Sequence, residues 1–120
     1  MKVGIVGAGS IGSKLARELD KDTVSGVSVA AICSRTVSRA RKLNETLKSE
    51  IKITSLQGVV DESDLVIEAA GASAVEEIVT TALSAGKSVM VISCGALLGR
   101  DDLVAMAKQN NARIHVPSGA

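Results

Sequence analysis

The chain has 120 residues, enough for one domain of ordinary size, and 46% of them are hydrophobic although Phe, Tyr and Trp are all lacking. A core must therefore be built from Val, Ile, Leu and Ala, which suits a parallel sheet buried on both faces. The formal net charge is +1 and the charges are mixed along the chain, which argues against electrostatic capture of nucleic acid or of an anionic membrane.

The sequence also argues against a membrane span, a disulfide framework and a metal site. No apolar stretch approaches the ~18 residues that cross a bilayer, and the chain enters a strand at once, so we expect a cytoplasmic protein without a signal peptide. Cys33 and Cys94 lie far apart and each ends an apolar run, which favours reduced, buried thiols. His115 is the single histidine, so we expect no metal site and a packing or surface role for its side chain.

The first predicted strand, Lys2–Val6, leads directly into a glycine-rich turn at residues 7–12, and a helix follows from Ser10 to Leu19. This order of strand, Gly-x-Gly-x-x-Gly and helix is typical of a dinucleotide site. The first glycine permits the tight turn, the second lets the backbone approach a pyrophosphate, and the third lets the helix pack on the strand. Free N–H groups at the helix start attract phosphate. The predicted contacts are Gly7, Gly9, Ser10, Ile11 and Gly12. The alternative is a glycine turn in another α/β domain, such as a methyltransferase.

Strands and helices alternate along the rest of the chain, which predicts a Rossmann-type α/β fold, a doubly wound parallel sheet in one domain, residues 1–120. The expected strand order is 3-2-1-4-5-6. The further predicted strands are Val27–Cys33, Ile51–Thr54, Leu65 with its exit loop to Gly71, Ser88–Ser93 and Ala112–Val116. The further predicted helical segments are one capped by Ser34 or Thr36, a turn at Leu56–Val60, one capped by Ser73 that stops at Gly86, and Arg100–Gln109.

The end of the second strand indicates which dinucleotide the site prefers. NAD-specific sites place Asp or Glu there for the ribose 2′-hydroxyl, whereas an Arg accommodates the 2′-phosphate of NADP. This sequence has Ser34 and Arg35 at that place and Arg39 one turn later, with no carboxylate. We therefore predict that NADP is bound, with NAD as a second cofactor. Alternatively, Arg35 is a solvated cation and Ser34 a helix cap.

Small residues follow the fourth and fifth strands, where ligands cross the carboxyl edge of such sheets. The predicted cofactor contacts there are Ala69, Ala70, Gly71, Ser93, Cys94 and Gly95. Small residues also occur in strand-end turns that bind nothing. No base accompanies Cys94, and Glu68 is expected to hydrogen-bond locally, so we assign no catalytic residue in this chain.

Four stretches together resemble the N-terminal domain of L-aspartate dehydrogenases over essentially the whole chain. They are the glycine-rich turn 7–12, Val66-Ile67-Glu68-Ala69-Ala70, Val91-Ile92-Ser93-Cys94-Gly95-Ala96-Leu97 and Ile114-His115-Val116-Pro117-Ser118-Gly119-Ala120. The resemblance implies reversible oxidative deamination of L-aspartate to oxaloacetate and ammonia through iminoaspartate, with hydride passing to NAD or NADP. It also implies a role in NAD biosynthesis and a two-domain homodimer whose second domain holds the catalytic histidine and most substrate contacts.

Two features depart from that family pattern. Ser34 and Arg35 put strict use of NAD in doubt, and the chain ends at Ala120, where the family continues into its catalytic domain. We therefore expect a truncated, proteolysed or deliberately shortened chain that binds dinucleotide and turns over little or no aspartate. The alternatives are the cofactor domain of homoserine dehydrogenase or dihydrodipicolinate reductase, and a non-catalytic module that senses NADP.

Overall fold

The computed structural model describes residues 1–22 and 24–117, in which strands and helices alternate. The strands are β1 Lys2–Val6, β2 Ser28–Cys33, β3 Lys52–Ile53, β4 Leu65–Glu68, β5 Ser88–Val91 and β6 Ile114–His115. The helices are α1 Ser10–Asp20, α2 Val37–Glu45, α3 Leu56–Glu62, α4 Val75–Ser84 and α5 Asp101–Gln109. Short 3₁₀ turns at Ala72–Ala74 and Cys94–Leu97 follow β4 and β5.

The described strands form one parallel sheet in the order β3-β2-β1-β4-β5-β6. The predicted Rossmann-type fold and strand order are therefore confirmed. The order reverses between β1 and β4, and ligands of doubly wound sheets bind at such a reversal, outside the carboxyl ends of the strands.

Aliphatic side chains fill both faces of the sheet, as expected for a chain without aromatic residues. On one face Ile5 and Ile32 pack with Ala16 of α1 and Leu43 of α2. The other face packs against α3, α4 and α5 through the buried residues Val59, Val66, Ile78, Val79, Leu83, Val89 and Leu103. Burial of both faces explains why the strands are almost continuously apolar.

Two of the predicted helix caps are wrong in detail. Gly71 has φ +110° and leads into a 3₁₀ turn that contains Ser73, so Ala74 precedes α4 and Ser73 caps nothing. Thr36 does precede α2, but its side chain makes no capping bond. Ser34 Oγ instead accepts a hydrogen bond from Thr36 N at 3.2 Å, which stabilises the turn after β2.

Most of the differences in element length lie at the sheet edges. β3 and β6 each pair with a single neighbour and have two residues each, shorter than the predicted Ile51–Thr54 and Ala112–Val116. The predicted turn after β3 continues as a helix to Glu62. Ser118, Gly119 and Ala120 of the predicted family motif lie outside the described residues.

Candidate functional site

The carboxyl ends of four strands meet at one edge of the sheet. The register aligns Val6 with Cys33 on one side and with Glu68 on the other, and Glu68 with Val91. Hydrogen bonding between the neighbouring strands continues just beyond these positions. Gly7 N donates to the Cys33 carbonyl and Ala69 N donates to the Val6 carbonyl, both at 2.8 Å. The exits of β1, β2 and β4 therefore form a continuous backbone surface at the β1–β4 reversal.

The glycine-rich turn requires glycine at two positions for steric reasons. Gly7 has φ +114°, and a Cβ there would lie 2.3 Å from the Ala69 carbonyl oxygen. A Cβ on Gly12 would lie 2.0 Å from the Gly7 carbonyl oxygen. Gly9 is different, since a Cβ there would meet nothing within 4 Å. The turn thus packs tightly on β4 and α1 while leaving open space over Gly9.

The start of α1 faces this open space without a side-chain cap. Gly9 occupies the N-cap position, and the first turn contains no acidic residue. Ser13 Oγ donates to the Ala8 carbonyl at 3.0 Å, which fixes the turn against the helix. Unpaired N–H groups and the helix dipole favour an anion at such a position. The residues therefore fit the diphosphate of a dinucleotide.

Three adjoining hollows run along the carboxyl edge, and Ala70 lines all of them. The β2-side hollow, about 130 Å³, is lined by Val6, Gly7, Cys33, Ser34, Arg35, Leu56, Ala70, Ala74, Glu77 and Ile78. The central hollow, about 240 Å³, is lined by Gly7, Ala8, Gly9, Ser34, Arg35, Thr36, Arg39, Ala69 and Ala70. The β5-side hollow, about 290 Å³, is lined by Ser10, Ile11, Ala69, Ala70, Gly71, Ile92 and Ser93.

The structure therefore brings together most of the residues predicted to bind cofactor. Ile11, one of the predicted contacts, is 54% exposed and lines the β5-side hollow. Gly12, Cys94 and Gly95 line none of the three hollows. Gly12 lies beneath the turn, and the other two belong to the 3₁₀ turn after β5.

The β2-side hollow includes residues that the sequence analysis missed. Leu56 opens α3, and Glu77 and Ile78 lie on α4. Ala74, Glu77 and Ile78 have the i, i+3, i+4 spacing of one helix face, a signal that the sequence did contain. Burial raises the pKa of the Cys33 thiol, and the charge of Glu77 raises it further. Cys33 is therefore a poor nucleophile at neutral pH.

Ser34, Arg35 and Arg39 meet at the central hollow, as predicted. Both arginines are exposed, and within residues 1–22 and 24–117 neither forms an ion pair with a carboxylate. By contrast, Arg100, which precedes α5, is paired with Glu76 and Asp102. The guanidinium groups beside the central hollow thus remain available for an anionic ligand.

Glu68 lies between the central and β5-side regions and has no exposed surface. Its Oε2 accepts hydrogen bonds from Ala70 N and Gly71 N, both at 2.9 Å, and from Ser93 Oγ at 3.0 Å. Its Oε1 accepts from Ser93 N at 2.8 Å. The expected local bonding is confirmed, but it also reaches the end of the neighbouring strand.

The structure also tests what the sequence predicts for the cysteines, the histidine, metal binding and membrane spans. Both cysteines are free and partly buried, so burial is less complete than expected. His115 is exposed on β6. The described part of the chain contains no cluster of three or more His, Cys, Asp or Glu side chains that could hold a metal ion. No helix in the same residues is long and apolar enough to cross a membrane.

Residues 7–117 match the family model described as "Homoserine dehydrogenase, NAD binding domain". The chain belongs to this family. A domain of this family binds a nicotinamide dinucleotide, in agreement with the turn, the open start of α1 and the crevice between β1 and β4.

Curated relatives confirm the resemblance to L-aspartate dehydrogenases. The L-aspartate dehydrogenase of Methanocella arvoryzae is 41% identical over 99% of this chain and 45% of the relative. That of Methanosarcina acetivorans is 42% identical over 100% of this chain and 45% of the relative. The chain thus spans somewhat less than half the length of these relatives and corresponds to their dinucleotide-binding portion.

Solved structures of a dehydrogenase and a reductase share the fold of this chain. UDP-N-acetylglucosamine 3-dehydrogenase from Acidithiobacillus ferrooxidans superposes with TM-score 0.83 at 19% identity, covering 97% of this chain and 36% of that one. Biliverdin reductase from Synechocystis, solved with biliverdin and NADP+, gives TM-score 0.80 at 24% identity over 96% and 37% of the two chains.

Proposed function

We propose that this chain binds NADP, and NAD more weakly, across the carboxyl edge of its sheet. The observation that carries the proposal is the glycine-rich turn that opens α1 at the β1–β4 reversal, with free space over Gly9 for a diphosphate. The adenosine half then lies towards β2, where the β2-side hollow offers the apolar side chains of Leu56 and Ile78 to the adenine ring. The nicotinamide half extends over β4 and β5.

The preference for NADP rests on the charges beside the central hollow. Arg35 and Arg39 line it, and Ser34 adds a hydroxyl. Charge-assisted hydrogen bonds from guanidinium groups suit a phosphate dianion. Glu77 is a carboxylate nearby, but it lines the β2-side hollow, on the proposed adenine side, and not the central hollow.

Calorimetric titration of the purified 120-residue chain tests this proposal. We expect NADP to bind at least tenfold more tightly than NAD, since one charge-assisted bond contributes about 1.5–3 kcal/mol. Absence of heat with either dinucleotide at millimolar concentration would refute dinucleotide binding. A marked preference for NAD would refute only the assigned role of the arginines.

We further propose that the longer polypeptide containing this chain is an L-aspartate dehydrogenase. It would convert L-aspartate, water and NADP+ to oxaloacetate, ammonium and NADPH with release of a proton, through iminoaspartate. Iminoaspartate taken up before its hydrolysis would supply NAD biosynthesis. The identity of 41–42% to L-aspartate dehydrogenases across the chain supports this activity. The bound dinucleotide would accept hydride, while a second domain following this one would hold the catalytic histidine and most substrate contacts.

A homoserine dehydrogenase is the second candidate, because the matching family model carries that description. Assays of the longer polypeptide with L-aspartate and L-homoserine separate the two. We expect NADPH to form with L-aspartate alone, whereas the 120-residue chain should show little or no turnover. Formation of NADPH with L-homoserine only would favour the second candidate.

Assembly and cellular location remain predictions, the first from the family resemblance and the second from the sequence alone. We propose a cytoplasmic homodimer formed by the longer polypeptide. Light scattering of that polypeptide during size-exclusion chromatography should give twice the mass of one chain, and a monomeric mass would contradict the dimer.

A further inference from the structure

Glu68 is a fully buried acidic residue at the end of β4. Within the described residues, all four hydrogen bonds of its side chain come from two loops at the carboxyl edge. Three donors are backbone N–H groups, those of Ala70, Gly71 and Ser93, and the fourth is the Ser93 hydroxyl. The side chain therefore joins the loop after β4 to the loop after β5.

These two loops also form one wall of the β5-side hollow. Ala70, Gly71 and Ser93, the three residues bonded to Glu68, all line it, and Ser10 and Ile11 form the opposite wall. The main chain adds a further link, because Ile92 N donates to the Glu68 carbonyl at 3.2 Å. The shape of this wall thus depends directly on the distance that Glu68 spans.

A carboxylate is well suited to this position. Both of its oxygens only accept, so it can bind donors from two directions at once, and burial without such partners would be unfavourable. Within residues 1–22 and 24–117 no cationic side chain forms an ion pair with Glu68. The oriented N–H groups of the two loops therefore provide its stabilisation.

We infer that Glu68 is a positioning residue that holds the β5-side hollow in the shape required by the nicotinamide half of the dinucleotide. The inference rests on the dinucleotide function proposed above. In a doubly wound sheet each half of the strand order serves one mononucleotide, and this hollow lies on the β4–β5 half. The hollows over β1 and β2, which the adenosine half would occupy, share Ala70 with this site but include no residue of the loop after β5, so they depend less on Glu68.

The substitution Glu68→Gln weakens this link with little change of volume. If the amide oxygen occupies the Oε2 position, the amide NH2 faces the N–H of Ser93, and two donors meet. If the amide is reversed, its NH2 faces the N–H groups of Ala70 and Gly71. In either orientation at least one loop loses a backbone hydrogen bond to residue 68, although with the amide oxygen at the Oε2 position the Ser93 hydroxyl can still donate to it.

The test compares NADP with adenosine 2′,5′-bisphosphate, which carries the adenosine half alone. In Glu68→Gln we expect the affinity for NADP to fall about tenfold, as for loss of one hydrogen bond to a charged group, and the affinity for the bisphosphate to change less than about twofold. A general loss of structure would weaken both ligands alike. Equal losses, or no loss for NADP, would therefore overturn the inference.

Two further variants keep the test decisive. Ser93→Ala removes one of the four donors and leaves the backbone bonds, so it should weaken NADP selectively by about threefold even where Glu68→Gln fails to fold. If Ser93→Ala affects both ligands equally or neither, the inference fails. The matched control Glu62→Gln alters an exposed carboxylate that pairs with Lys52, outside the three hollows, and should change neither affinity. If the unaltered chain binds neither ligand, the proposed function itself is wrong.

Discussion

The β2 side and the β5 side of the carboxyl edge face the same crevice but are held in different ways. On the β2 side Arg35 and Arg39 are exposed and unpaired with any carboxylate of the described residues. On the β5 side the loops are tied by the buried Glu68. We therefore expect substitutions of these two arginines to alter the proposed preference between NADP and NAD without loss of stability. The β5 side, by contrast, is coupled to the core through β4.

The largest expected effect concerns the glycine-rich turn, which both sides share. In Gly12→Ala the new Cβ would lie 2.0 Å from the Gly7 carbonyl oxygen, so the turn or α1 must move. We expect a loss of about 3 kcal/mol in the free energy of unfolding and a fall in Tm of about 10 °C or more, measured by thermal unfolding. Binding to both halves of the dinucleotide should weaken together.

Gly9→Ala is the matched control for stability in that experiment. A Cβ at Gly9 meets no protein atom within 4 Å, so Tm should change little. The same Cβ would enter the space proposed for the diphosphate, and affinity for the dinucleotide should fall at least tenfold. A Gly12→Ala variant as stable as the unaltered chain would contradict the packing of the turn described here.

Arg35→Ala tests the β2 side alone and should have an intermediate effect. Removal of the guanidinium should lower the affinity for NADP about 10- to 100-fold, as expected for lost charge-assisted hydrogen bonds. The affinity for NAD should change less than about threefold. Tm should stay constant because the side chain is exposed. Titration of both dinucleotides measures the effect.

Arg41→Ala is the control for that substitution, since Arg41 is exposed on the same helix and lines none of the three hollows. It should leave the ratio of NADP to NAD affinity unchanged. A strong preference for NAD that Arg35→Ala does not alter would exclude Arg35 from the site and weaken the contrast between the two sides.

The two sides also differ in how far the sequence predicts them. The glycine-rich turn and the arginines lie close together in the chain, so local spacing is enough to identify them. Glu68 receives two of its hydrogen bonds from Ser93, 25 residues away, and these depend on the pairing of β4 with β5. The spacing of residues along the chain predicts a carboxylate at the end of β4, but it does not predict which groups donate hydrogen bonds to that carboxylate.

The error in the predicted cap of α4 has a related physical cause. Ser73 is a good capping residue by type, but Gly71 at φ +110° turns the chain early and starts a 3₁₀ turn before α4. Gly71 N donates to the Glu68 carboxylate, which is itself held by the distant Ser93, so the loop after β4 is tied to a tertiary contact. Likewise, the apolar stretches around β3 and β6 extend beyond the few residues that pair at each edge of the sheet.

The smallest expected effect lies away from both sides and serves as a reference for them. Asp20 ends α1 and accepts hydrogen bonds from the backbone N–H groups of Lys48 and Ser49. Desolvation raises the pKa of Asp20, but these hydrogen bonds outweigh it, so the net pKa lies below its ordinary value of 3.8. The stabilisation is therefore complete above about pH 3.8 and is lost as the pH falls through the lower pKa of the folded state.

Thermal unfolding of Asp20→Asn at a series of pH values measures this contribution. At neutral pH the variant should melt a few degrees below the unaltered chain, and the difference should shrink as the pH falls below the ordinary pKa of Asp20. Glu45→Gln, an exposed substitution on α2, should show no such convergence. The affinities for NADP and for its adenosine half should both stay unchanged in Asp20→Asn, because Asp20 lines none of the three hollows. If either affinity changed, loss of stability alone would be enough to disturb binding. The changes in affinity expected at Arg35 and Glu68 could then not be attributed to the roles proposed for these two residues.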